Sequence, residues 1–311
     1  MDSVARLSLA PGLAEGRLYA LCASAFARMF RARRQRTPEL ALGGFVVVGD
    51  AAADGLYFGN AELPWSWPMN FQRVTDLCAP DGHVIPAFIF LPGSPRAGTV
   101  VCHGYGGTKE HVLALSAVIA EKGVAALAMD LCGHGENSAA IGPAMCDEME
   151  AGVRYVRRFG RAAAVGMSLG GRLALMSSAD CMVAVSPAVV PQVSPQGKWM
   201  FENFPSPSVR EPYSGYVIEL LDALGPVPSH DRPCLLLYAE RDIPAILEGA
   251  AGLKAALPGA ELRYITADLR PDVKHEHGLI RYLPRWFNHG ELKFNRDVLK
   301  TVSNWLADHC C

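Results

Sequence analysis

Short apolar runs alternate with amphipathic stretches along most of the chain from residue 71 onward. Uninterrupted apolar runs are typical of strands buried on both faces, and apolar residues at three- and four-residue spacing are typical of helices. The predicted strands cover 71–77, 84–91, 99–102, 125–129, 162–165, 182–185, 234–238 and 262–265, and the predicted helices cover 110–122, 146–159, 172–178, 245–257 and 296–308. This alternation predicts an α/β fold with a mainly parallel central sheet and helices on both faces.

Two segments break the alternation. Residues 187–233 lie between two predicted strands and are rich in proline and aromatic residues. A connection of this length inside a compact domain usually has a function, so we interpret it as a lid insertion with a short helix at 216–224. An inert surface excursion is the alternative. Residues 41–70 combine Gly and Pro with Trp65 and Trp67, and we expect irregular structure that covers a surface or lines a pocket.

The start of the chain is strongly basic. Residues 1–36 hold seven arginines and two acidic residues, which gives about +5 there and about −7 in the remainder. Apolar residues recur there at helical spacing: Leu18, Leu21, Cys22, Ala25, Phe26, Met29 and Phe30. We therefore predict an N-terminal extension over 1–70 with an amphipathic helix, ahead of a main domain over 71–311. A helix docked on the core is favoured, and contact with a membrane surface or an organelle presequence are the alternatives.

Composition narrows the class of protein. The chain has 311 residues, half of them apolar, and a net charge of −2, which gives no reason to expect a nucleic-acid partner. No apolar run approaches the length of a membrane span. The nine cysteines are odd in number and irregularly spaced, so reduced thiols in a cytoplasmic protein fit better than a disulfide framework. No Cys and His spacing fits zinc, and we expect neither a metal nor an organic cofactor.

One glycine-rich turn carries a candidate nucleophile. The segment Gly166-Met167-Ser168-Leu169-Gly170-Gly171 follows a predicted strand and precedes a predicted helix. A G-x-S-x-G sequence in this context is typical of a serine nucleophile on a sharp strand-to-helix turn. Gly166 and Gly170 remove the Cβ atoms that would collide there. The sequence therefore predicts Ser168 as a nucleophile.

A serine nucleophile needs a base and an acid that orients the base. Asp242 follows the predicted strand 234–238, where an orienting carboxylate is expected, and Glu240 is the competitor. His277 is the preferred base because Gly278 allows a close approach, and His275 is the alternative base. The remaining histidines downstream, His289 and His309, are predicted to lie on the surface. A metal site at His275 and His277 lacks further ligands of suitable spacing.

The oxyanion formed at such a serine needs two backbone donors. The amide of Leu169, directly after the nucleophile, is the first. The second is expected in a glycine-rich loop at the end of an earlier strand, and residues 101–107 fit this description. Within that loop we predict the amide of Tyr105 as the second donor.

These motifs together resemble those of the serine hydrolases of the α/β-hydrolase superfamily. The resemblance spans 71–308 and rests on the turn Pro80-Asp81-Gly82, the loop His103-Gly104, the segment 130–138, Ser168, Asp242 and His277-Gly278. It implies an α/β-hydrolase fold, a structural role for 130–138 near the site, and carboxylesterase, thioesterase or lactonase activity. The pair His275 and His277 leaves the base ambiguous, and residues 1–70 have no counterpart in the superfamily pattern.

The predicted chemistry is acyl transfer to water through an acyl-enzyme on Ser168. The aromatic residues of 187–233 indicate a small-molecule ester-like substrate with an apolar acyl or aromatic group. Three alternatives remain: a peptidase or amide hydrolase with the same triad, a biosynthetic cyclase or acyltransferase that excludes water, and a non-catalytic binding protein. Nothing in the sequence indicates the oligomeric state.

Overall fold

The computed structural model describes residues 45–50, 55–60, 69–203, 206, 208–266, 289–290 and 292–311. Ten strands form one sheet: β1 (Phe45–Asp50), β2 (Gly55–Asn60), β3 (Met69–Val74), β4 (Ala87–Pro92), β5 (Ala97–Cys102), β6 (Val124–Met129), β7 (Arg161–Met167), β8 (Cys181–Val185), β9 (Cys234–Ala239) and β10 (Ala260–Ile265). Their order across the sheet is β1-β2-β3-β4-β6-β5-β7-β8-β9-β10.

The sheet is antiparallel at one side and parallel over the rest. Strands β1 to β4 and the β4–β6 pair are antiparallel, whereas β6, β5, β7, β8, β9 and β10 run parallel to their neighbours. Every residue of β5, β6, β8 and β9 is buried, as expected for parallel strands covered on both faces. The prediction of a mainly parallel central sheet is therefore confirmed.

Seven α-helices lie in the described residues: α1 (Leu113–Ala120), α2 (Met145–Val156), α3 (Leu169–Met176), α4 (Pro195–Asn203), α5 (Tyr216–Ala223), α6 (Pro244–Ala256) and α7 (Arg296–Cys310). All the helices predicted from periodicity are confirmed, and α4 is one that the sequence pattern does not show. Helix α1 packs against α7, and α2 packs against α3, so the helices form two groups on the sheet. In the part of the chain that the structure describes, no helix is both long and apolar enough to cross a bilayer.

The expectation of irregular structure over 41–70 is wrong for two segments. Strands β1 and β2 form an antiparallel pair, and β2 pairs with β3, so the sheet continues upstream of residue 71. Both segments contain β-branched or aromatic residues in short runs, and these favour strands despite the nearby glycines. The predicted helix within 1–36, together with Trp65 and Trp67, lies outside the described residues, and the domain boundary at residue 71 stays a prediction.

Two cysteines depart from the expectation of reduced thiols. Cys181 on β8 and Cys310 on α7 form a disulfide across 129 residues of sequence, with their Cα atoms 6.5 Å apart. The fold brings a buried strand and the C-terminal helix together, and this proximity cannot be recognised from cysteine spacing. Six other described cysteines are free, and Cys102, Cys132 and Cys234 among them are buried.

Candidate active site

Ser168 is the single residue between β7 and α3. Its φ of 52° and ψ of −114° are rare for any residue other than glycine, and such backbone strain is often found at functional sites. A Cβ atom on Gly166 would lie 2.0 Å from the carbonyl oxygen of Gly170, and one on Gly170 would lie 2.4 Å from that of His103. The turn therefore requires both glycines, and it leaves Ser168 partly exposed.

The loop after β5 lies directly against this serine. A Cβ atom added to Gly104 would lie 3.0 Å from Cβ and 3.7 Å from Oγ of Ser168. Only a residue without a side chain leaves room for the two loops to approach so closely. The glycine-rich segment that the sequence predicts as an oxyanion loop is thus next to the predicted nucleophile.

The buried side chain of His103 stabilises this loop by hydrogen bonds. Its Nδ1 hydrogen bonds to the carbonyl oxygen of Gly104 at 2.8 Å, and its Nε2 accepts from the amide of Leu131 at 3.2 Å. Burial, helped by the neighbouring His134 ring, holds the pKa of His103 well below its usual range. A buried neutral imidazole with both nitrogens engaged has a structural role here.

The two predicted oxyanion donors are the backbone amides of Leu169 and Tyr105. Leu169 is the first residue of α3, where amide N–H groups have no acceptor within the helix. Within the described residues, the amide of Tyr105 donates no backbone hydrogen bond. The assignment of these two amides as oxyanion donors stays a prediction.

Asp242 lies just after β9 and is completely buried. Its Oδ1 accepts from the amide of Ile243 at 2.7 Å and from Nδ1 of His289 at 2.8 Å. Its Oδ2 accepts from the hydroxyl of Ser186. A carboxylate held by three donors is fixed in orientation, and it sets the tautomer of the ring that donates to it.

The prediction that His289 lies on the surface is wrong. Its side chain is 14 % exposed, and it pairs with the fully buried carboxylate of Asp242. Because a carboxylate only accepts, Nδ1 carries the proton that it donates to Asp242, and Nε2 has no hydrogen-bond partner among the described residues. Periodicity cannot show this contact, since Asp242 and His289 lie 47 residues apart in the chain.

The other candidates for acid and base divide into three groups. Glu240 is exposed and accepts from the hydroxyl of Thr266 at 3.1 Å, so it does not take the place of Asp242. His309 is exposed on α7 and stacks on Trp305, which confirms its predicted surface position. His275 and His277 lie outside the described residues, and their assignment as the base stays a prediction.

The segment 130–138 has the structural role that the family resemblance implies. The buried carboxylate of Asp130 accepts from the backbone amide and Nζ of Lys109, each at 2.7 Å, and from the amide of Glu136 at 3.0 Å. Glu148, also buried, accepts from the amide of Cys132 and from Nδ2 of Asn137, each at 2.7 Å. Together with the bond from the amide of Leu131 to His103, these bonds hold the segment beside the loop 101–107 through fully buried charges.

Arg172 on α3 ties both ends of the 187–233 insertion to the helix that follows the nucleophile. Its guanidinium donates to the carbonyl oxygen of Ala188 at 3.3 Å and to that of Gly225 at 2.5 Å. One residue near the start of the insertion and one near its end therefore share a single buried cation. The short helix predicted at 216–224 is confirmed as α5.

Arg210 hydrogen bonds the middle of the insertion to the segment 130–138. Its amide donates to the carbonyl oxygen of Gly133 at 2.8 Å, and its guanidinium donates to those of Gly135, at 2.9 Å, and Asn137. Phe201 meets the ring of Tyr105 edge to face at 5.5 Å. The insertion thus contacts both the loop 101–107 and the segment 130–138. No cluster of three or more metal-ligating side chains occurs among the described residues.

Comparison with known proteins supports the fold. No protein-family model matches the chain, and no curated protein matches its sequence. An esterase from Pyrobaculum calidifontis aligns over 76 % of this chain and 85 % of its own, with 20 % identity and a TM-score of 0.53. An esterase from Pyrococcus furiosus aligns over 78 % and 92 %, with 18 % identity and a TM-score of 0.53. A dienelactone hydrolase from Anabaena variabilis aligns over 77 % and 98 %, with 14 % identity and a TM-score of 0.50.

These similarities show that the chain has the α/β-hydrolase fold. The predicted α/β-hydrolase fold is therefore confirmed.

Three residues of the site have no clear signal in the sequence. Ser186 follows β8 and Arg172 follows the nucleophile, and neither stands in a recognisable motif. His289 precedes Gly290 and the final helix, which is the same kind of context that favours His277 before Gly278. That parallel is the one clue to His289 in the sequence, and only the contact with Asp242 gives it weight.

Proposed function

We propose that the chain is a serine hydrolase that cleaves a carboxylic ester, thioester or lactone through an acyl-enzyme on Ser168. The observation that carries the proposal is the strained, partly exposed Ser168, with Gly104 of the oxyanion loop packed against it. Backbone strain at a reactive serine is consistent with a nucleophile held clear of the sheet. The esterase and dienelactone hydrolase structures with the same fold support this class of reaction.

The proposed reaction starts with attack of Ser168 Oγ on the substrate carbonyl. His289 Nε2 takes the serine proton while Asp242 holds the opposite side of the ring. The negative charge on the tetrahedral oxygen is stabilised by the amides of Leu169 and Tyr105, and one such donor contributes about 3–4 kcal/mol. The alcohol or thiol leaves with the proton from His289. Water then attacks the acyl-enzyme, and its proton passes through His289 back to Ser168.

The proposed substrate is a small-molecule ester with an apolar acyl or aromatic group. Phe201 and Tyr105 bring aromatic surface to the side of the site that the insertion covers, and we propose that the insertion acts as a lid. The proposed location is the cytoplasm, supported by the six free described thiols, whereas the Cys181–Cys310 disulfide is of a kind more common in oxidising compartments.

The proposal is tested with p-nitrophenyl esters of graded acyl length, aminoacyl anilides and a fluorophosphonate probe. We expect ester hydrolysis, labelling of Ser168, and loss of both in Ser168→Ala while the variant keeps its circular dichroism spectrum. Cleavage of anilides over esters would indicate an amide hydrolase, and product formation only with an added alcohol or amine would indicate an acyltransferase. A folded wild-type protein that neither labels nor hydrolyses any ester would contradict the proposal.

A further inference from the structure

The two side chains that hydrogen bond to Asp242 are carried by elements that are covalently joined to each other. Ser186 directly follows β8, and His289 lies shortly before α7 in the chain. A disulfide joins Cys181, the first residue of β8, to Cys310, the last residue of α7. The cross-link is therefore at the opposite end of each element from the residue that reaches Asp242.

The two joined elements differ in how firmly the fold holds them. Strand β8 is hydrogen bonded between β7 and β9, and every one of its residues is buried. Helix α7 packs against β7, β8 and α1 through one buried face, and its other face is exposed. Near its end, an exposed hydrogen bond of 2.9 Å joins Arg161 Nη1 to the carbonyl oxygen of His309. The disulfide thus fixes the end of a surface helix to a strand in the interior of the sheet.

We propose that the Cys181–Cys310 disulfide is a redox switch that controls the pairing of His289 with Asp242. The intact disulfide holds α7 in one position on β8, and His289 stays against the carboxylate. Reduction removes a cross-link that spans 129 residues of sequence. Helix α7 then keeps its apolar contacts but shifts more freely as a rigid element, and His289 shifts with it. The inference rests on the proposed function and names a means of regulating that site.

A small shift of α7 is enough to change the site. His289 Nδ1 donates to Asp242 Oδ1 at 2.8 Å, and a hydrogen bond weakens steeply as its distance and angle depart from the ideal. The Ser186 hydroxyl stays in place because it belongs to the strand side of the cross-link. Misplacing a catalytic group by about 1 Å costs about 100-fold in rate. Reduction therefore lowers the reactivity of Ser168 without unfolding the sheet.

The switch takes its electrons from a dithiol. Both sulfurs are buried, but Cys310 is the last residue of α7, and helix ends open more readily than helix centres. A thiolate of the dithiol attacks Cys310 Sγ, the disulfide bond breaks, and Cys181 Sγ leaves with the electron pair and takes up a proton. The second thiol of the dithiol then attacks the mixed disulfide. Cys310 is released as a thiol, and the dithiol is oxidised to its own disulfide.

The test follows three rates in wild type before and after reduction with dithiothreitol. These are the rate at which a fluorophosphonate labels Ser168, the rate of amide hydrogen exchange along α7, and the rate at which diethylpyrocarbonate modifies His289 once the reductant is removed. Cys310→Ala is the variant without the cross-link, and Cys78→Ala, at an exposed free cysteine, is the matched control. Peptide mapping after thiol alkylation verifies the redox state of each sample.

We expect reduction to slow the labelling of Ser168 by about 10-fold or more, and to accelerate both hydrogen exchange along α7 and modification of His289 by about 3-fold or more. Reoxidation with oxidised glutathione should restore the initial rates. Cys310→Ala should behave like reduced wild type and should not respond to dithiothreitol. Cys78→Ala should respond as wild type does.

Three results would overturn the inference while the hydrolase assignment stands. They are Cys181 and Cys310 unlinked in protein purified without reductant, Ser168 labelling equal in the two redox states, and slower labelling with unchanged modification of His289. If Cys310→Ala does not fold, the two states of wild type decide alone. If Ser168 is labelled in neither state, the hydrolase assignment fails. Faster modification of His289 after reduction would then still support the switch, whereas unchanged modification would overturn both.

Discussion

The surroundings of Ser168, the nucleophile half of the proposed site, and those of Asp242, the acid–base half, are built in different ways. Around Ser168, one constraint is local, because a Cβ atom on Gly166 would meet the backbone of Gly170. Another comes from the loop after β5, because His103 lies against Gly170 and Gly104 lies against Ser168. Around Asp242, the partners are Ser186 and His289, 56 and 47 residues away. The first half is marked by a local glycine pattern in the sequence, whereas the second has no local pattern and depends on how distant segments meet. A sequence motif can therefore indicate the part of a site that has a local pattern, but not the part in which distant residues meet.

The largest expected effect tests the steric basis of the nucleophile half. In Gly166→Ala, the new Cβ would lie 2.0 Å from a backbone oxygen, which cannot move without breaking the turn. We expect the free energy of unfolding to fall by about 3 kcal/mol or more. Gly252→Ala in α6 is the matched control, since a Cβ there meets nothing within 4 Å. Urea unfolding measures both, and a Gly166→Ala midpoint equal to that of the control would contradict the account.

The next effect concerns the acid–base half. Ser186→Ala removes the hydroxyl that donates to Oδ2 of Asp242 and leaves that buried oxygen without this partner. We expect kcat to fall by about 10-fold with little change in KM, and the free energy of unfolding to fall by about 1–3 kcal/mol. Ser229→Ala is the control, because the Ser229 hydroxyl makes an exposed hydrogen bond to the carbonyl oxygen of Ala256 and does not donate to Asp242. A kcat equal to the wild-type value would show that Ser186 does not position the carboxylate.

A smaller effect is expected where Arg172 of α3 hydrogen bonds to the insertion. Arg172→Met removes the bonds to the carbonyl oxygens of Ala188 and Gly225. We expect a loss of about 1–2 kcal/mol in the free energy of unfolding and faster proteolysis within the insertion. Arg154→Met, at an exposed arginine of α2, is the control. Mass spectrometry measures the rate at which trypsin or chymotrypsin cleaves each variant. Cleavage of both variants at the wild-type rate would contradict the prediction.

The smallest effect is a dependence of stability on pH. Burial lowers the pKa of His134 and of His103, so below their ordinary pKa the unfolded chain binds protons that the folded chain does not. The free energy of unfolding should therefore decrease as pH falls from about 7.5 to about 5. In His134→Gln this decrease should be smaller, because one of the histidines with a lowered pKa no longer contributes. Urea unfolding at both pH values measures the difference, and an unchanged decrease would contradict the assignment.

Much of the fold was accessible from the sequence because it depends on local pattern. Strands β5 to β9 are apolar apart from Thr99 in β5 and the exposed Arg161 at the start of β7, and helices alternate with them, so their order predicts the parallel sheet. Strands β1 and β2 were missed because glycine and proline obscure their short β-branched and aromatic runs. The Cys181–Cys310 disulfide was missed because it depends on the packing of α7 against the sheet.

For the site too, residues in a local pattern could be predicted, whereas pairs of distant residues could not. Ser168, Leu169 and Tyr105 were predicted from glycine spacing at strand ends, which is a local property. Asp242 was predicted from its place after a buried strand, and the structure pairs it with His289 instead of leaving that histidine on the surface. Which histidine reaches a given carboxylate depends on the path of the chain between 243 and 288, and no periodicity describes that path.

The pairing of His289 with Asp242 is tested most directly by the rate at which a fluorophosphonate labels Ser168. Wild type, His289→Gln, His277→Gln, His275→Gln and the exposed control His309→Gln are compared by intact mass after matched exposure times. The account predicts labelling of Ser168 at similar rates in all except His289→Gln, in which the rate falls by about 1,000-fold or more. Labelling of His289→Gln at the wild-type rate, with loss of labelling in His277→Gln or His275→Gln, would contradict it.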